Sequence, residues 1–489
     1  MLLIIFAQAS WALSLGQATP GRLVPFVHVQ RTLPLVCAAT KKGKKGPKKV
    51  AAQPARGFGA PAAAAIPAVS DAAETTEEHA EWRGFERHLK SHGATIDAIE
   101  LAVCDGIRGV RTTRSLKPGE EVLRIPRELI LDEDAADVSP VGPLWGGAAR
   151  DVPLPAHMRL ALLVLHEWRL GKQSRHAEYC AMLPSPQDFE EQGGPASLWS
   201  DAELEACQCS KLCADAAHKR RNLEAQLDAL GLPGRWEELQ LPGEAPSVGD
   251  VSWAVAAVTS RAYGATPSAE VAPQSMMIPM VDMANHVHPP HTVKGLSDDG
   301  SEFIIVAREP IKRGEQLFLS YGPLPSLTLL LQFGFVVPRN ANDFGLVDCT
   351  ALLQLGGGHG GGGGAAAERA ADEGLLMREA GGQVSAWQPS GPALRAALLE
   401  LARGGAMLPH APADAEPQQA ADASYAALLR GTLETAATTV AEDRAALRVE
   451  GLPPRQRLAL EFRAEQKALL NAELAASAAA RPPRTRDDI

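Results

Sequence analysis

Leu116-Lys-Pro-Gly-Glu-Glu-Val-Leu123 and Ile311-Lys-Arg-Gly-Glu-Gln-Leu-Phe318 repeat one pattern far apart in the chain: an aliphatic residue, a basic residue, a Gly-Glu turn and an apolar run. Each predicts a strand, a tight turn that needs glycine, and a second strand. Two such hairpins mean that a β domain is opened early and closed late, so the long stretch between them is an insertion. That stretch, from about Pro155 to Leu230, has helical periodicity, with Met158, Leu162, Leu165 and Trp168 on one face.

The flanking segments fit this scheme. Trp82, Phe85 and Leu89 predict an amphipathic helix ending near Gly93. Ile99 to Ile130 reads as β-rich, broken at Asp105-Gly106, Arg108-Gly109 and Pro118-Gly119. Beyond Val251 come a helix carrying Trp253, Val258 and Arg261, the segment Ile278 to His286, a strand from Phe303 to Ala307, the second repeat, and Leu327 to Phe335. Gly356 to Gly364, interrupted by His359, reads as a flexible linker. From Ala393 the chain is rich in Ala, Leu, Arg and Glu, and Leu458, Phe462 and Leu469 keep helical spacing. The expected organisation is α+β: a leader over 1–70, a mainly β domain over 79–345 with a helical insert at about 150–250, a Gly/Ala-rich linker over 346–380, and an all-α domain over 381–489.

Residues 1–70 hold nine Lys and Arg and no Asp or Glu, so the rest of the chain carries −19 within the formal total of −10. A body this acidic argues against nucleic acid as a partner, since phosphate neutralisation needs clustered Lys and Arg. The acid-free leader reads as a removable address. Its apolar run, Met1 to Leu15, is too short and interrupted for a stable membrane anchor, and the Lys-rich and Ala/Pro-rich stretch after it resembles an organelle transit peptide. Together they resemble a bipartite leader and point to the plastid. Seven scattered cysteines argue against a disulfide scaffold. Cys207, Cys209, Cys213 and His218 lack standard zinc spacing, and Asp201 to Leu230 around them reads as helix, so no metal site is expected.

Chemistry is expected at two strand ends, Asp282-Met-Ala-Asn285-His286 and Ser320-Tyr321-Gly322, where polar side chains meet turns. With Gly106-Ile-Arg-Gly-Val-Arg111, Ile125-Pro126, Ser174 to Pro184, Ala196 to Leu204, Arg261 and Phe333-Gly-Phe-Val336, these segments resemble the SET-domain protein methyltransferases of the plant Rubisco large-subunit methyltransferase type. The C-terminal helices, with Glu442-Asp443 and Arg457 to Leu470, resemble that family's substrate-binding domain.

The resemblance implies S-adenosyl-L-methionine as cofactor and a protein lysine as acceptor, with Rubisco large subunit or plastid aldolase as substrates. It assigns cofactor contacts to Gly106, Ile107, Arg108, Arg261, Asp282, Asn285, His286 and Phe335, acceptor contacts to Asp282, Tyr321 and Phe333, and catalysis to Tyr321. Such a zwitterion calls for an Arg for the carboxylate and an aromatic face for the adenine. Relatives of the same architecture methylate a histidine of actin, which leaves a histidine acceptor open. A silent protein-binding adaptor would need none of Arg261, Asn285, His286 and Tyr321. Two residues depart from the family pattern: Phe333 stands where a tyrosine is common, and Leu327 where an asparagine is common.

Overall fold

The computed structural model describes residues 76–479 except 105, 147–151, 266–273, 354–367, 369–370, 373–375 and 379–383. The leader and the Gly-rich run with His359 lie outside the described residues. Helix Thr76–Ser91 buries Trp82, Phe85 and Leu89, the face that their spacing sets. Strands β1 (Ile99–Cys104), β2 (Ile107–Thr112), β3 (Glu121–Pro126) and β4 (Leu131–Asp132) precede the helical insert. After it come β5 (Tyr263–Ala265), β6 (Gln274–Met277), β7 (Asn285–His286), β8 (Thr292–Leu296), β9 (Glu302–Ala307) and β10 (Gln316–Leu319). They form small sheets of order β1-β2-β10-β7, β3-β9-β8 and β4-β6-β5, each joining strands from both sides of the insert.

Each of the two repeated segments is a single bridge residue, a turn and a strand, and neither is a hairpin. Their arms pair with each other's neighbourhood instead: β3 lies against β9, and β10 against β2. Leu116 and Ile311 exchange backbone hydrogen bonds of 2.8 and 3.0 Å at the centre. On one side Gly314 N–H donates to Thr112 O (2.8 Å) and Thr112 N–H to Glu315 O (3.0 Å); on the other Gly119 N–H donates to Ala307 O (2.8 Å) and Ala307 N–H to Glu120 O (2.9 Å). The arrangement is a local two-fold. It explains the shared residues, because Gly119 and Gly314 take positive φ (85° and 83°) and the carboxylates of Glu120 and Glu315 accept from the N–H of Lys117 and Lys312. The turns do not close on themselves because the backbone groups of each Gly-Glu pair bond the other side of the insert, Gly119 and Glu120 to Ala307, and Gly314 and Glu315 to Thr112.

Helix Ala156–Leu170 is buried from Leu160 through Glu167, on more than the one predicted face, because helix Val248–Thr259 covers it, with Trp168 and Trp253 edge to face at 4.7 Å. The stretch Asp201 to Leu230 is not one helix. A capping box between Ser200 and Glu203 starts helix Asp201–Glu205, the chain breaks at Gln208 (φ 51°), and helix Ser210–Leu230 follows. Cys207 and Cys209 at the break pack with Trp199, Leu212 and Phe462, and burial pushes the Cys209 thiol up to about 12.

Helices Pro392–Arg403, Pro417–Glu434 and Pro454–Ala479 build a second core around Leu398, Tyr425 and Leu429, and helix Val440–Ala446 packs against the last of them. This part is not purely helical: β11 (Leu346–Asp348), in the range read as linker, pairs antiparallel with β12 (Trp387–Pro389). Val347 is fully buried there, as part of the second core. A third apolar cluster joins Trp199 and Leu212 of the insert, Leu327 and Leu330, and Phe462 of the last helix. Beside it the buried Asp443 carboxylate accepts from Arg463 Nε (2.7 Å), Lys467 Nζ (2.8 Å) and Thr438 Oγ1 (2.7 Å), while Gln208 accepts from Lys467 Nζ at 2.7 Å. No described helix is long and apolar enough to cross a membrane.

Candidate active site

The polar end of β7 and the exit of β10 are brought side by side by parallel pairing, Phe318 with Asn285 and Leu319 with His286. Ahead of β7, Met280 takes a positive φ of 68°, strained for a residue with a side chain, and leads into the turn Val281–Met283. That turn buries Asp282, whose Oδ2 accepts from the Tyr179 hydroxyl of the insert at 2.8 Å and lies 3.6 Å from Arg261 Nη1. Arg261 Nη1 also donates to the Asp282 carbonyl at 3.0 Å. Burial raises the Asp282 carboxyl above the usual range against the opposing pull of Arg261. Asp282 Oδ1 and Arg261 Nε are buried without a hydrogen-bond partner.

Arg108 adds a second guanidinium, donating to Met182 O at 2.8 Å; burial and the neighbouring Arg261 draw it down to about 10. Its carbonyl accepts from Asn285 Nδ2 at 3.2 Å. Gly109 next to it has no room for a side chain, since an added Cβ would lie 2.6 Å from Gln316 Nε2 and 2.8 Å from Asn285 Nδ2. Gln316 Nε2 is likewise buried and unpartnered. Gly106 and Ile107 stand exposed at the β1–β2 turn, Ile107 at 58%.

Tyr321 is the centre of an aromatic group. Its ring lies 5.0 Å from His286, 5.0 Å from Phe333 in a near-parallel stack, and 6.3 Å edge to face from both Phe335 and Tyr263. Its hydroxyl donates to Ala284 O at 2.9 Å, and its backbone N–H to His286 Nδ1 at 3.0 Å. Burial pushes the phenol up to about 12 and draws the His286 imidazole down to about 4. Both are therefore neutral at neutral pH.

Phe333 closes a π-helical turn, Leu329–Phe333, a feature frequent at functional sites. Gly334 stops that turn at φ 78°, where an added Cβ would come 2.4 Å from the Gly194 carbonyl carbon in the insert. Gly334→Ala is expected to lose at least about 1–3 kcal/mol from the left-handed backbone alone, read as a drop in the urea midpoint, and to weaken ligand binding with it.

The structure thus gathers Arg108, Arg261, Asp282, Asn285, His286, Tyr321, Phe333 and Phe335 in one region. Sequence reasoning missed Tyr263, Tyr179 and Lys294 as members. Lys294 Nζ sits 3.7 Å from the Tyr263 ring centroid and donates to Ser320 O at 3.1 Å. The local signal for Tyr263 was its place two residues after Arg261; Tyr179 lies in the Ser174 to Pro184 segment but nothing there assigns it to the site, and Lys294 had no signal, because the partners of both are remote in sequence.

Residues 107–322 match the SET domain family model. The chain is 26% identical over 303 residues to the actin-histidine N-methyltransferase of Drosophila melanogaster, covering 58% of this chain and 53% of that protein. It is 25% identical over 270 residues to the chloroplastic [fructose-bisphosphate aldolase]-lysine N-methyltransferase of Arabidopsis thaliana, covering 52% of each. The chain spans about half the length of the curated relatives it matches. Among solved structures, the SET domain of LSMT bound to lysine and AdoHcy superposes with a TM-score of 0.60 at 16% identity, over 82% of this chain and 91% of that one. Rubisco LSMT bound to AdoMet gives 0.59 at 17% identity, over 82% and 92%. Residues 107–322, which hold all but the Phe333 and Phe335 rings of this aromatic and polar region, match the SET domain model, and the chain has the fold seen in Rubisco LSMT.

Proposed function

We propose that this chain is an S-adenosyl-L-methionine-dependent protein N-methyltransferase with a lysine acceptor. The observation that carries the reading is the Tyr321 hydroxyl, fixed on Ala284 O at the centre of four aromatic rings, beside a buried Arg and Asp with unpartnered atoms. Those atoms fit the cofactor. Arg261 Nε and the Arg108 guanidinium suit a carboxylate, Asp282 Oδ1 suits an ammonium, and Phe335 offers a face to an adenine. The tight packing of Asn285 and Gln316 against Gly109 leaves backbone, with no side chain, next to that place.

When bound, the cofactor supplies an electrophilic methyl on a sulfonium. The protein's work is to align the acceptor and keep water out. A phenol held near 12 stays protonated, so Tyr321 is a poor proton acceptor and acts by orientation: it donates to Ala284 O and turns its lone pairs to the incoming amine. The stacked Phe333 and the edge of Tyr263 fix that ring, and this apolar sleeve suits the methylene stem of a lysine while disfavouring its charged form.

Asn285→Ala is expected to weaken cofactor binding by roughly 5- to 150-fold, since a buried partner is left unpaired at about 1–3 kcal/mol; calorimetry with S-adenosylhomocysteine checks it. A histidine acceptor is the second reading, favoured by several relatives named actin-histidine N-methyltransferase. The chloroplastic relative and the acid-free leader support a plastid protein as substrate. Labelled cofactor with a plastid extract and with actin, followed by mass spectrometry of the labelled peptides, decides among them. Methyl-lysine in a plastid protein supports the first reading, and methyl-histidine replaces it.

A further inference from the structure

Lys294 takes no part in the mechanism above, yet it is joined to both supports of the Tyr321 ring. Its own strand, β8, lies at the edge of a different sheet, with Lys294 opposite Ile305. From there the side chain reaches Tyr263, packing its ammonium 3.7 Å from the ring centroid, and Ser320, donating to the carbonyl at 3.1 Å. Tyr263 is the ring set edge to face on Tyr321, and Ser320 is the residue before it. Ser320 is held from its other side as well, its hydroxyl bonded to His288 Nδ1 at 2.9 Å and accepting from Gly322 N–H at 3.0 Å.

An ammonium in such surroundings needs a reason. Burial alone draws Lys294 down to about 7, and no carboxylate pairs with it among the described residues. A methionine would fill the same space without a charge to desolvate. What a cation adds is a directional hold on a π face and on a carbonyl at once, two groups that no apolar side chain can tie together.

We infer that Lys294 is a positioning residue for methyl transfer, clamping the Tyr263 ring and the Ser320 carbonyl so that the Tyr321 hydroxyl is held where acceptor and methyl meet. The inference rests on the transferase reading. Burial leaves the amine partly charged at neutral pH, while the ring face and the carbonyl favour its charged form. The clamp is assigned to that charge and to the N–H donor, which predicts different results for two substitutions of similar length. Lys294→Met keeps the apolar stem and loses both; Lys294→Arg keeps a cation that stacks on a ring and donates to a carbonyl.

The test uses the full chain. Lys294→Met is expected to lower kcat by between about 10- and 100-fold, the range that a small misplacement of a reacting group produces. Its KM for the acceptor, its melting temperature and its affinity for S-adenosylhomocysteine should stay close to those of the wild type. Lys294→Arg should keep turnover within a few-fold of wild type. A readout independent of activity is the NMR signal of the Lys294 ε-methylene in lysine-labelled protein, which the Tyr263 ring current moves upfield and which Tyr263→Leu returns to the ordinary lysine position. Turnover of Lys294→Met equal to wild type, or equal losses in Met and Arg, overturns the clamp. So does an ε-methylene without an upfield shift in an active wild type. If Lys294→Met does not fold, the Arg variant and the wild-type shift decide in its place. A shifted methylene in a protein that transfers no methyl to any acceptor overturns the transferase reading, and the clamp's role in transfer with it.

Discussion

Tyr321→Phe is expected to lower turnover by about 10²–10⁴-fold, the usual worth of a positioned catalytic group, while the protein stays folded. The ring remains, so its stacking on Phe333 and its contacts with His286, Phe335 and Tyr263 are kept. One hydrogen bond is lost, that to Ala284 O, which costs about 1 kcal/mol and moves the melt by only a few degrees. An interaction made mostly in the transition state lowers kcat and kcat/KM together and leaves cofactor affinity unchanged. A melt, a calorimetric titration and a turnover assay on one preparation separate these quantities. Near-normal turnover would make Tyr321 a packing residue and sink the mechanism.

Asp443→Ala is expected to destabilise the protein by about 3–5 kcal/mol, because it strands two cations, Arg463 and Lys467, in a buried place. Asp443 has no exposed surface, and the network around it also holds Thr438 and Gln208, so it ties the last two helices to the break in the insert. The effect should appear as a lower urea midpoint and as faster proteolysis of helices Val440–Ala446 and Pro454–Ala479. The pH dependence has a definite sign. Burial opposes the charge on Asp443, yet the bonds from Lys467 and Thr438 hold the carboxyl below the usual range. Its contribution is therefore complete above the ordinary aspartate pKa and is lost as pH falls through the depressed one. Wild type should lose part of its stability in acid that Asp443→Asn no longer has to lose. An alanine variant as stable as wild type would show that this network is marginal to the fold.

Local chemistry wrote much of this protein directly into its sequence. The helix at Thr76–Ser91, the helical insert, the β segments around it and the turns at Gly119 and Gly314 follow from apolar spacing and glycine placement, which act within a few residues. The two polar strand ends, Asp282 to His286 and Ser320 to Gly322, were also legible, since polar residues and glycine at the end of apolar runs are a local mark. Tertiary structure alone decided what depends on partners far away. The repeated segments look like hairpins by themselves, but Leu116 pairs with Ile311, and their arms join sheets across the insert. The stretch from Asp201 to Leu230 has helical pattern throughout and breaks at Gln208, where the side chain bonds Thr438 and Lys467 near the far end of the chain. Lys294 carries no motif, and Tyr179, though it lies in the Ser174 to Pro184 segment, carries no local mark of a site; they matter because folding sets one on the Tyr263 ring and the other on Asp282. Periodicity and turn residues report the energies of neighbours in sequence, whereas a cation on a ring or a hydroxyl on a buried carboxylate gains its energy only once the fold has excluded water between them.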